Sequence, residues 1–137
     1  MIEELLTGRT EPGMHTWHAE RREAARGVTE AERAGWRVFW LDAAGVRDKA
    51  ALLERCQEEF ALPSYFGHNW DALEDSLKDL SWAPATRGYL VVYDHWQDLA
   101  ETEVHRTLVD VFASAVGYWR GTPTPMAVVL LDSETVA

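Results

Sequence analysis

Three short apolar runs, residues 36–41, 89–93 and 126–131, alternate with segments of helical periodicity, and this alternation constrains the fold more than any other feature of the chain. The first, Trp36-Arg37-Val38-Phe39-Trp40-Leu41, is rich in aromatic and β-branched residues and reads as a strand. Tyr89-Leu90-Val91-Val92-Tyr93 and Met126-Ala127-Val128-Val129-Leu130-Leu131 are nearly continuous in apolar character, as expected of strands covered on both faces. Over residues 102–120, Val104, Leu108, Val111, Phe112, Ala115 and Trp119 recur at helical spacing. A second helix is predicted over 46–60, with Ala50, Leu53, Cys56 and Phe60 on its buried side, and Pro63 breaks it. Strands joined by helical crossovers run parallel. The expected class is therefore α/β, a small and mainly parallel sheet of three strands packed by helices in two or three layers.

Residues 1–34 carry a weaker signal. Residues 1–14 are turn-rich and polar and read as a loose lead-in, while residues 15–18, around Trp17, are a candidate fourth strand. The Ala, Glu and Arg content of 20–34 favours a helix, interrupted by Gly27 and Val28 and stopped by Gly35. On this reading, helix 20–34 connects residues 15–18 in parallel to residues 36–41. Residues 1–34 then form an N-terminal extension joined to a domain of residues 35–137.

A chain of 137 residues is long enough for one domain with its own core, and 47% apolar residues with seven tryptophans argue for a folded globule. The single cysteine, Cys56, rules out an internal disulfide framework and fits a reducing compartment. The start Met1-Ile2-Glu3-Glu4 is acidic and no long apolar run follows it, so neither a signal peptide nor a membrane span is expected, and the expected location is the cytoplasm. The net charge of −10 is unevenly distributed, with −1 in residues 1–55 and −9 in residues 56–137. Phosphate contacts need a basic footprint, which argues against direct nucleic-acid binding. A positively charged protein surface is the more natural partner.

The acidic half centres on Leu62-Pro63-Ser64-Tyr65-Phe66-Gly67-His68-Asn69-Trp70-Asp71-Ala72-Leu73-Glu74-Asp75-Ser76-Leu77-Lys78-Asp79-Leu80. Pro63 and Gly67 punctuate a loop, and Asn69 is placed to accept a hydrogen bond from the first free N–H groups of the helix that follows. At about 100° per residue, Leu73, Leu77 and Leu80 share one stripe and Asp71, Asp75 and Asp79 lie opposite it. Like charges at i,i+4 cost a helix roughly 0.2–0.5 kcal/mol per pair, a cost that a cationic partner would offset.

Other chemistries fit these residues less well. Catalytic carboxylates flank a reacting bond in environments that split their pKa values, whereas Asp71, Glu74, Asp75 and Asp79 share one exposed helix. His68 with Asp71 and Asp75 lacks the spacing of a metal site. His15, His18, His95 and His105 form no recognisable spacing, and Cys56 lies on an apolar helix face, which suits a buried thiol better than a nucleophile. There is no phosphate-cradling Gly-rich loop and no Gly-x-Ser-x-Gly elbow. No enzyme, cofactor or metal is expected. By contrast, Tyr65, Phe66 and Trp70 beside a carboxylate row have the composition of a protein-binding epitope.

In Leu62-Pro63-x-Tyr65-Phe66-Gly67-x-Asn69-Trp70-Asp71-Ala72-Leu73-x-Asp75-x-Leu77 the chain resembles the barstar family, intracellular inhibitors of secreted barnase-type ribonucleases. The element order over residues 35–131 is similar to that family's as well. The resemblance implies a barstar-like fold whose loop and acidic helix plug the active site of a basic ribonuclease. It implies that Tyr65 packs on the enzyme's catalytic histidine, that Gly67 and Asn69 shape the loop, and that Asp71 and Asp75 meet the cations that hold RNA phosphate. Trp70 belongs to the same rim. Two positions depart from the best-known inhibitor: Ser114 stands where it has a glutamate on the long helix, and Glu74 where it has a tryptophan. Glu74 and Asp79 are expected to supply compensating contacts. The alternative implied is a barstar-fold module for another basic protein, such as a different nuclease toxin.

Overall fold

In the computed structural model, which describes residues 1–133, four strands form one all-parallel sheet: β1 (Met14–His18), β2 (Trp36–Asp42), β3 (Gly88–Asp94) and β4 (Met126–Asp132). Their order is β1-β4-β3-β2. The register runs from Trp36 beside Gly88 to Asp42 beside Asp94, from Tyr89 beside Met126 to Tyr93 beside Leu130, and from Met14 beside Val128 to His18 beside Asp132. The three apolar runs are thus parallel neighbours, as their helical connections require.

Five helices cover the sheet: α1 (Ile2–Leu6), α2 (Arg21–Arg33), α3 (Lys49–Glu59), α4 (Trp70–Asp79) and α5 (Glu103–Trp119), with a 3-10 turn at Trp96–Leu99. Alternation along the strands divides the apolar side chains between two faces. Trp36, Leu90, Val92, Ala127, Val129 and Leu131 pack with α1 and α2 through Ile2, Leu5, Ala24 and Ala31. Phe39, Leu41, Val91, Tyr93 and Val128 pack with α3, α4 and α5 through Leu53, Phe60, Leu73, Leu77 and Phe112. The result is three layers, and every residue of β3, covered on both faces, is buried. No helix among the described residues is long and apolar enough to cross a membrane.

As expected, the helix after residues 15–18 connects them in parallel to residues 36–41: α2 carries the chain across one face from one edge of the sheet to the other, and β1 lies beside β4. Three expectations need correction. The opening segment is not a loose lead-in: α1 buries Ile2 and Leu5 against α2. Gly27 does not interrupt α2 but lets two elements approach it, since a Cβ there would sit 3.0 Å from Ile2 Cγ1 and 3.1 Å from the Trp17 ring. Finally, α3 starts later than predicted, where the Asp48 carboxylate accepts from Ala51 N at 2.8 Å, and this phase exposes Ala50 and buries Leu52 beside Leu53 and Cys56. Two leucines remove far more apolar surface from water than one alanine.

Candidate protein-binding face

The end of α3 sets the direction of the loop that follows. Ala61 takes a left-handed conformation, φ +52°, its N–H donates to Glu58 O at 3.3 Å, and Leu62 N donates to Gln57 O at 2.9 Å. These two bonds satisfy helix-end carbonyls in the Schellman pattern and turn the chain sharply. Leu62 and Phe66 then anchor the loop by burial, and Gln57 Nε2 donates to Pro63 O at 3.2 Å. Phe66 N donates to Pro63 O at 3.0 Å, closing a turn with Ser64 and Tyr65 at its tip. Held between two buried neighbours, Tyr65 is thrust outward with 86% of its surface exposed.

Asn69 joins the loop to α4. Its Oδ1 accepts from Ala72 N at 2.8 Å and its Nδ2 donates to Gly67 O at 3.3 Å, so one side chain caps the helix and fixes the loop. Gly67 leaves room for this, since a Cβ there would lie 3.1 Å from Asn69 Nδ2. Between Gly67 and Asn69, His68 adopts φ +50°. Along α4, Leu73, Leu77 and the capping Leu80 are buried, while Asp71, Asp75 and Asp79 are exposed. The helix is secured to α5, where Trp119 Nε1 donates to Leu77 O at 2.8 Å.

The predicted residues do not all stand alike. Tyr65, Gly67, Asn69, Asp71, Asp75 and Asp79 are exposed along one continuous loop and helix. Asp71 and Asp75 make no hydrogen bond or ion pair among the described residues, whereas Asp79 accepts from Ser81 Oγ at 3.1 Å. Glu74 is half-buried and paired with Lys78 Nζ at 3.3 Å, which places it on the flank of the ridge. Trp70 is half-buried, with Lys49 Nζ 5.8 Å from its ring centre. Ser114 is half-buried on α5. Cys56 is fully buried, and burial pushes its thiol up to about 12, so it stays protonated and inert as a nucleophile.

A second polar constellation escaped the sequence reading. At the carboxyl ends of β2 and β3, His95 Nδ1 lies 2.7 Å from Asp42 Oδ1, and Asp94 lies beside them. The spacing within a carboxylate and histidine group of this kind would admit a cation, but both oxygens of Asp94 are occupied. Arg21 donates Nε to Oδ2 and Nη2 to Oδ1, Trp40 Nε1 donates to Oδ2 at 3.2 Å, and His95 N donates to Oδ1 at 2.9 Å. Burial by itself would raise the Asp94 pKa. The Arg21 hydrogen bonds, the charges of His95 and Arg21 and the His95 N–H more than offset burial and hold the carboxyl below its ordinary value. This network joins elements rather than presenting free ligands. Its one signal in the sequence was that two predicted strands end near aspartates that the register brings together.

A family model described as barstar, the barnase inhibitor, matches residues 36–131, from the first residue of β2 almost to the end of β4. No curated protein matches the chain.

Proposed function

The chain belongs to the barstar family, and on that premise we propose that it is a protein inhibitor, not an enzyme, that uses loop 62–69 and α4 to occlude the active site of a basic barnase-type ribonuclease in the cytoplasm. The observation that carries this reading is the exposure of Asp71 and Asp75, unpaired among the described residues, on a helix whose opposite side is locked by buried leucines, next to an outward-facing Tyr65. Cationic clusters that hold phosphate accept carboxylates through charge-assisted, often bidentate hydrogen bonds. A preorganised row of carboxylates on a rigid helix therefore competes with RNA for those cations without being cleaved. Tyr65 supplies the aromatic anchor that such interfaces favour.

A second reading, a module for another basic nuclease, is favoured by one observation: Glu74 is tied to Lys78 and half-buried where the best-known inhibitor has a tryptophan. The deciding experiment titrates a purified guanyl-specific barnase-type ribonuclease with the chain and follows RNA cleavage. Stoichiometric inhibition that Asp75→Ala weakens supports the ribonuclease reading. Full activity at large excess of the chain moves the conclusion to the second.

A further inference from the structure

We infer that His68 is a partner-contacting residue at the tip of the binding loop whose charge state sets how tightly a basic protein is held; this deepens the ribonuclease reading and rests on it. His68 is exposed, and its φ of +50° lies in a region that non-glycine residues adopt at a cost of roughly 1–2 kcal/mol. Strained backbone of this kind gathers at ligand clamps and other working segments. Glycine would remove the strain, yet the chain carries an imidazole here. The imidazole is also held in place: its ring centre lies 5.0 Å from that of Phe66, which is only 6% exposed. The backbone on either side is pinned by the hydrogen bonds of Asn69 to Gly67 O and Ala72 N. A fixed imidazole therefore stands in the short loop between Tyr65 and the first carboxylates of α4.

Among the described residues the imidazole makes no hydrogen bond and no ion pair. Of the elements that meet here, α4 carries Asp71, Glu74, Asp75, Lys78 and Asp79, and α3 carries Lys49, over the Trp70 ring, with Glu54, Arg55, Glu58 and Glu59; the loop itself adds the phenol of Tyr65. Histidine changes its charge between pH 5 and pH 8 without unusual surroundings. Neutral His68 adds no cation beside the exposed carboxylates of Asp71 and Asp75, and its imidazole can hydrogen-bond to the partner. Protonated His68 sets a cation against the partner's arginines and lysines, and like charges facing each other across an interface oppose association.

The test compares the wild type with His68→Gln and His68→Lys against a barnase-type ribonuclease, by calorimetry at constant ionic strength, at about pH 8 and about pH 5.5. Groups on the enzyme titrate identically in every pairing and cancel in the ratio of dissociation constants. Between the two pH values the wild type is expected to lose about tenfold more affinity than His68→Gln, equivalent to about 1.4 kcal/mol. His68→Lys should bind weakly at both pH values, which loss of ring packing alone would not distinguish from His68→Gln. Parallel pH dependences for the wild type and His68→Gln, or equal weakening of His68→Gln at both pH values, would overturn the inference. Asp75→Ala serves as the separate control at pH 8. Absence of any complex with the wild type there, or indifference to Asp75, overturns the ribonuclease reading itself and the role of His68 with it.

Discussion

Arg21 and Asp94, 73 residues apart in the chain, form a two-point ion pair, with Nε donating to Oδ2 at 2.8 Å and Nη2 to Oδ1 at 2.9 Å. It clamps the first turn of α2 onto the end of the central strand β3. Asp94 is 1% exposed, so removal of the guanidinium leaves a buried carboxylate with only the Trp40 and His95 N–H donors among the described residues, although the open side of Arg21 lets water enter in its place.

Arg21→Ala is expected to cost about 1–3 kcal/mol in urea unfolding near neutral pH, the range for leaving a buried polar group short of partners. The pH dependence has a definite sign. The folded-state pKa of Asp94 lies below its unfolded value, so its contribution is complete above the ordinary aspartate range and is lost as pH falls through the folded value. The stability gap between wild type and variant should therefore be widest at neutral pH and shrink in acid. A gap unchanged from pH 7 to pH 3 would mean that the carboxylate is not what Arg21 holds.

On the proposed binding face, Asp75→Ala should weaken the complex most among single changes on the ridge, with Asp71→Ala next. Leaving a partner's cations buried and unpaired costs about 2–5 kcal/mol, a range that charge pairs of the barnase–barstar complex helped to establish. Unfolding stability should stay within a few tenths of a kcal/mol of the wild type, because relief of like-charge repulsion favours the helix. Calorimetry with the ribonuclease and urea unfolding of the free variants measure the two effects separately.

Ala61→Gly should stabilise the free protein by about 0.5–1 kcal/mol, since glycine takes the left-handed turn after α3 without a Cβ penalty. Thermal unfolding reads this directly. A destabilised variant would show that the methyl group makes contacts worth more than the backbone strain.

Association with the ribonuclease should be fast and steeply dependent on salt. Steered encounters reach about 10⁸–10⁹ M⁻¹s⁻¹ at low ionic strength, and a Debye length of roughly 8 Å at 0.15 M screens the approach more than the docked contacts. Stopped-flow mixing at several salt concentrations should therefore show the on-rate falling far more than the off-rate rises. An on-rate indifferent to salt would transfer recognition to Tyr65 and Trp70.

The residues that could be read from sequence were those whose signal is local. Leu73, Leu77 and Leu80 against Asp71, Asp75 and Asp79 declare two sides of one helix, and Asn69 announces its cap within three residues. The strands β2, β3 and β4 were visible because β-branched and aromatic runs need no partner to be recognised. What stayed hidden depends on the rest of the fold. The five residues of α1 are too few to show a period, and only contact with α2 reveals that Ile2 and Leu5 are core. The phase of α3 turned on whether Asp48 starts the helix. The meeting of Asp42, Asp94, His95 and Arg21 follows from strand register and a crossover that no local pattern encodes.

The pairing of β1 with β4 makes the stretch recognisable by family likeness shorter than the stretch that must be expressed together. A fragment cut to residues 36–131 would lose β1, α1 and α2 at once. It would present the bare flank of β4, with its unpaired N–H and C=O groups, beside an uncovered sheet surface bearing Leu90, Val92, Ala127 and Val129. Such an edge is a template for strands of other molecules. The acidic face, on the far side of the sheet, would be untouched in sequence yet carried by a chain prone to clump. Failure of that fragment to inhibit would thus report on its solubility and say nothing about Asp71, Asp75 or Tyr65.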